Sequence, residues 1–156
     1  MGFLNSINIV GSGLTAQQLR LDIVAENVTN SQTTRVENGE GAYRRKMVVF
    51  EAISGRDSFR AALARASNGL IANTEQSTPA AGGVRVTEIV EDESPMKLVY
   101  DPTHPDADED GYVELPNVDM VMEMADAMAA TRAYASNVTA FNTLKSVISS
   151  GLEIGR

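Results

Sequence analysis

The stretch that most constrains this chain runs from Val118 to Leu152. It contains no proline, and no glycine before Gly151. Apolar or small residues recur at alternating steps of four and three: Met120, Met124, Ala127, Thr131, Tyr134, Val138, Phe141, Ile148 and Leu152, with Lys145 as the only break. Steps of that average keep one stripe facing a partner as helices wind into a left-handed supercoil. A lone helix cannot bury its own stripe, so something must cover it. Val121, Ala125, Met128 and Ala135 widen the apolar face sideways, which predicts more than one neighbour.

Residues 3 to 29 read as the first helix and carry a matching pattern. Phe3, Ile7, Val10, Leu14, Gln17, Leu21, Val24 and Val28 repeat the same steps, and Leu19 and Ile23 broaden the stripe. Helices at both ends therefore bracket everything between them. Gly11-Ser12-Gly13 is a soft point in the first, since each glycine in a helix interior costs up to about 1 kcal/mol against alanine. The fold class expected is α+β: long N- and C-terminal helices packed as a coiled coil around a small antiparallel β domain. The divisions expected are residues 1–34, 35–116 and 117–156. The residues alone leave open an ordinary domain whose end helices pack together, or a terminal coiled coil that docks into an assembly.

Composition narrows the partners. A formal charge of −8 argues against nucleic acid, because phosphate binding needs a basic face. It also disfavours anionic membrane surfaces. The absence of cysteine excludes disulfides, thiol catalysis and cysteine-based metal sites. No apolar run is long enough to span a bilayer, and the start lacks the basic and apolar regions of a cleaved signal peptide.

Between the helices, Asn27 to Thr34 is rich in turn and cap formers. Tyr43 to Ile53, Gly83 to Glu91 and Met96 to Tyr100 read as strands of one small antiparallel sheet. Residues 54–83 form an extended connection, with a short helix expected from Phe59 to Ala66 and a loop around Pro79 and Gly82-Gly83. Arg44, Arg45 and Lys46 read as a solvated strand face. Pro116-Asn117-Val118-Asp119 starts the last helix, with Asn117 as the cap and Asp119 complementing the positive helix end.

Chemistry is sparse. Asp106, Asp108, Asp110 and Gly111 match the first half of an EF-hand calcium loop, but position twelve is Asn117 rather than glutamate, and Pro102 and Pro105 forbid an entering helix. An acidic surface turn is the better account. His104 is the only histidine, reads as exposed, and has no cysteine or second histidine to form a metal site. Glu123 and Asp126 share a helix face, as surface carboxylates often do. Two glycosylation sequons, at Asn27 and Asn137, overlap helices and are discounted. No catalytic residue, metal ligand or cofactor site is expected.

Taken together, these stretches resemble the rod and hook axial proteins of the bacterial flagellum. Gly11-Ser12-Gly13-Leu14-Thr15-Ala16-Gln17 is similar to that family's SGL-x-AQ stretch, and Asn27-Val28-Thr29-Asn30 with Thr33-Thr34 to its helix end, with Glu26 where an asparagine is usual. Tyr43 to Phe50 (YRRKMVVF), Gly82 to Val86, Leu98 to Pro102, Gly111-Tyr112-Val113, Pro116 to Asp119, Arg132-Ala133-Tyr134 and Phe141-Asn142 follow in family order and resemble its proximal-rod branch. The resemblance covers nearly the whole chain except about 54–81. It implies a non-enzymatic subunit exported through the flagellar type III apparatus without a cleaved signal. The subunit would polymerise in the periplasm into the proximal part of the torque-transmitting rod. Implied partners are further copies of itself, the adaptor FliE, and the rod proteins FlgB, FlgF and FlgG, with no nucleic acid and no membrane insertion. The terminal helices would form an inner coiled-coil layer, the β-rich middle an outer one. Assembly contacts are expected at Ile7, Val10, Leu14, Leu21, Val24, Val28, Met120, Met124, Tyr134, Val138, Phe141, Ile148 and Leu152. The alternatives are a cytoplasmic coiled-coil adaptor or a calcium-binding module at 106–117.

Overall fold

The computed structural model describes residues 3–36, 41–53 and 82–154. Helix α1 spans Phe3–Thr29 and helix α2 spans Met120–Ile154. Between them lie strands β1 (Lys46–Ala52), β2 (Val84–Glu91), β3 (Lys97–Tyr100) and β4 (Tyr112–Leu115). The α+β class expected from the periodicities is the class found.

One sheet was expected; two two-stranded sheets are present among the described residues, β1 with β2 and β3 with β4. In the first, Ile53 N bonds Gly83 O and Asp92 N bonds Arg45 O, so partner numbers fall as chain numbers rise and the pair is antiparallel. In the second, Lys97 faces Leu115 and Tyr100 faces Tyr112. Strand β4 was not anticipated: the acidic turn before it dominated the pattern. That turn is the hairpin loop, closed by Asp101 N on Gly111 O. The Tyr100 and Tyr112 rings meet edge to face at 5.3 Å across its mouth. The helix expected from Phe59 to Ala66 and the loop before Gly82 lie outside the described residues.

The cap of helix α2 lies two residues after the one expected. Asp119, not Asn117, is the capping residue: its carboxylate accepts from Val121 N at 2.9 Å, and its carbonyl accepts from Glu123 N. Asp119 directly precedes the first helical residue, which is where the orphan amide groups point. Asn117, two residues upstream, bonds elsewhere.

The chain forms two compact units, one of Met1–Ala16, Phe50–Thr87 and Ala133–Arg156, the other of Gln17–Val49 and Glu88–Arg132. In the first, α1 stays continuous through its glycines. A Cβ on Gly13 would stand 2.9 Å from Nδ2 of Asn137, so the missing side chain is the space in which α2 lies against α1. Ser12 Oγ donates to Ile9 O and accepts from Val84 N, joining the helix to the start of β2. Ala16 is buried beside them. In the second unit the apolar core is small: Ile23, Val24, Ala42, Tyr43, Val113, Val118 and Ala130. Its centre is polar.

Candidate functional site

Two side chains at the centre of the second unit are among the most buried in the protein. Asn27, near the end of α1, is 1% exposed, and Glu123, in the first turn of α2, is 0% exposed. Asn27 Nδ2 donates to Glu123 Oε2 at 3.1 Å and to Lys46 O at 2.9 Å. Its Oδ1 accepts from Lys46 N and from the Tyr43 hydroxyl, both at 2.9 Å. One amide thus pairs with both backbone groups of the first residue of β1, as a neighbouring strand would. Arg45 completes the set. Its Nε donates to Glu123 Oε1 at 2.6 Å, while its terminal nitrogens lie 3.5 Å from Asp126 and 3.6 Å from Asp92. Arg20 reaches Asp126 at 2.9 Å from α1. Asn117 Oδ1 accepts from Arg45 N, and its Nδ2 donates to Asp92 O and to Ser94.

The electrostatics follow from this packing. Burial, and then the charges of Glu26, Glu123 and Glu91, hold the Tyr43 phenol far above its ordinary value, so it stays a donor to Asn27. Burial works against the Arg45 cation, but the Glu123 hydrogen bond and the charges of Glu123, Asp92 and Asp126 outweigh it and raise its pKa. Hydrogen bonds from Ser94, then the Arg45 charge, hold Asp92 below the usual carboxylate range. The cluster is closed on itself. It offers no unpaired nucleophile or base; it is a clamp that ties the end of α1, the start of β1 and the start of α2 together.

The clamp corrects two expectations. Arg45 was read as part of a solvated strand face, and Glu123 as a surface carboxylate. Glu123 is interior and Arg45 is half-buried, because each supplies what the other lacks: a buried carboxylate needs donors, and a partly buried guanidinium needs acceptors. The signal was present in part, since Asn27, the YRRK run and the Asn117 segment each carry side chains able to bridge backbone groups. Nothing in their spacing showed that they converge. Asn27 is also unavailable as a glycosylation site.

The helix faces differ from the expected stripes by about one residue. In the second unit, the positions of α1 that meet α2 are Arg20 and Asn27, flanked by buried Ile23 and Val24. Leu21 and Val28, expected as assembly contacts, sit beside it and are half-buried. On α2 the inward residues of this unit are Glu123, Ala127 and Ala130, while Met120 and Met124 face outward. In the first unit Ile7, Val10, Leu14, Tyr134, Val138 and Ile148 are half-buried, and Phe141 and Leu152 are exposed. The outer face of α2 is apolar at its start: Val121 is 75% exposed, Met124 58% and Met128 55%. Leu152, near its end, is 71% exposed. Among the described residues, those of α1 that are exposed are instead small or polar: Asn8, Thr15, Gln18, Asp22, Ala25 and Thr29.

The acidic turn has a structural use. Asp106 accepts from the Thr34 hydroxyl at 2.8 Å and pairs with Arg35. Asp108 Oδ1 accepts from Tyr112 N, and Gly111 takes a φ of 82° that closes the turn. His104, expected to be exposed, is half-buried, its Nδ1 accepting from Asp106 N. Among the described residues no three His, Asp or Glu side chains converge as metal ligands. Nor is any described helix long and apolar enough to cross a membrane.

Comparison with known proteins places these features. Residues 7–35 match the family described as flagella basal body rod protein. Residues 109–154 match the flagellar basal body rod FlgEFG protein C-terminal family. The flagellar basal-body rod protein FlgC of Bacillus subtilis is 45% identical, with all of both chains covered. FlgC of Borreliella burgdorferi is 41% identical over 99% of this chain and 98% of its own. FlgC of Escherichia coli is 39% identical, again with both chains covered throughout.

Proposed function

Since this chain belongs to the FlgC family of flagellar basal-body rod proteins, and is therefore a structural subunit of the basal-body rod, we propose that it polymerises through its terminal helices. Residues 1–34 and 117–156 form the inner coiled-coil layer, and residues 35–116 the outer one. The observation that carries this reading is the outer face of α2, where Val121, Met122, Met124 and Met128 are exposed together. Exposed apolar surface of this kind marks a contact with another macromolecule, and flexible, polarizable methionine side chains adapt to such contacts. The wider expectations rest on the resemblance: export through the flagellar type III apparatus, a place in the periplasmic rod that carries motor torque, neighbours FliE, FlgB, FlgF and FlgG, and no catalytic role.

The test separates assembly from folding. Met124→Asp and Met128→Asp place a charge on residues that touch little within the chain. Each should leave unfolding of the purified chain within about 0.5 kcal/mol of the parent, yet abolish swimming and remove the protein from purified basal bodies. Normal motility in a strain carrying only the Met124→Asp, Met128→Asp double variant would exclude this face from assembly.

A further inference from the structure

The methionines of this chain are unevenly placed. Of seven, four lie between Met120 and Met128, at the start of α2. Met122, Met124 and Met128 are each more than half exposed, whereas Met47 in β1 and Met96 before β3 are half-buried. Met124 and Met128 stand four residues apart and so share a helix face. Leucine would supply the same apolar area. What methionine adds is a thioether that oxidants convert to a polar sulfoxide. In many proteins a cysteine thiolate meets the oxidant first, but this chain has no cysteine. Among the described residues, the thioethers of α2 are therefore the oxidisable sulfur atoms most open to solvent.

We propose that Met122, Met124 and Met128 form an oxidant-sensitive modification site: sulfoxide formation on the free chain withdraws the outer face of α2 from assembly until the sulfoxides are reduced. The inference rests on the assembly reading above and adds a control to that face. The oxidant class is a small neutral peroxide, since a net charge of −8 repels anionic oxidants but not hydrogen peroxide. A sulfur lone pair attacks one peroxide oxygen. The S–O bond forms as the O–O bond breaks, and sulfur is oxidised by two electrons. The departing hydroxide takes the proton of the transferred oxygen and leaves as water. Reversal takes a thiol-dependent methionine sulfoxide reductase: two thiols become a disulfide, and the sulfoxide oxygen leaves as water. A sulfoxide buried in a contact is a polar group without a partner, which weakens association about tenfold or more.

The test has a chemical and a cellular arm. Purified chain is treated with dilute hydrogen peroxide and its peptides are followed by mass spectrometry. Met122, Met124 and Met128 should gain one oxygen before Met47 and Met96; equal rates overturn the proposal. In a flagellated strain with no other copy, synthesis of the chain is induced with or without sublethal peroxide, and the chain in purified basal bodies is measured. The readout is the ratio of incorporation with peroxide to that without. It should fall about tenfold for the parent. For the Met122→Leu, Met124→Leu, Met128→Leu chain, which meets every other effect of peroxide on the cell, it should stay near one. Equal ratios overturn the proposal. So does failure of that variant to enter basal bodies at all, since the thioethers would then be kept for fit. The Met122→Gln, Met124→Gln, Met128→Gln chain carries polar groups like the sulfoxide permanently and should be absent from basal bodies. Its presence there would overturn the assembly reading itself, and this proposal with it.

Discussion

Glu123 shows how far a residue's chemistry departs from its appearance in the sequence. A glutamate in the first turn of an acidic helix reads as surface, yet this one has no exposed area and takes hydrogen bonds from Arg45 and Asn27. Taking one partner from such a pair leaves a buried charge uncompensated, and the cost exceeds what the pair contributes by being there. Arg45→Met should therefore destabilise the purified chain by about 3–5 kcal/mol. The Arg45→Met, Glu123→Leu double variant should recover most of that loss, because neither charge remains to be buried. Urea unfolding of the two variants and the parent measures it. Equal losses for the single and double variants would mean that the Arg45–Glu123 pairing is not what matters. Asn27 is a second case. Its amide occupies both backbone groups of Lys46, a role that a sequence shows only as an asparagine near a helix end.

The elements were largely readable from period alone. Helix α1 was expected over residues 3–29 and is found as Phe3–Thr29, and β2 and β3 lie within a residue of expectation. Long periodic stretches report themselves, because each turn repeats the same constraint. Shorter elements do not: β4 has four residues and follows a turn whose carboxylates suggested an ion site. The glycines of the SGL stretch and of the β2 entry then separate by environment. A Cβ on Gly11 would meet nothing within 4 Å, so Gly11→Ala should raise stability by up to about 1 kcal/mol through helix propensity. Gly83 has a φ of 122° and its Cβ would stand 2.6 Å from Ser12 Oγ, so Gly83→Ala should lower the melting temperature. Thermal denaturation followed by circular dichroism checks both signs; a Gly83→Ala chain that melts with the parent would show that the β2 entry relaxes freely.

For the whole molecule, charge and apolar surface oppose each other. A net charge of −8 opposes the approach of copies, while the exposed apolar start of α2 is the face proposed to join them. Raising salt from about 0.01 M to about 0.15 M shortens the Debye length from about 30 to about 8 Å. Self-association of the purified chain, followed by light scattering, should therefore increase with salt. A decrease would mean that ion pairs, not apolar faces, hold copies together. By itself the sequence determined that both ends are helical, that each carries an apolar stripe, and that the family is one of flagellar axial proteins. Those properties depend on local spacing and on motif strings, and both are written along the chain. Only the tertiary structure decided which face of each helix turns inward. It seats Asn27 and Glu123 at the helix contact, one position from Val28 and Met124 of the expected stripes, because Arg45, Tyr43 and Lys46 arrive from distant positions to satisfy them. Periodicity ranks residues by their own hydrophobicity; burial of a polar group depends on partners that only the fold brings into reach.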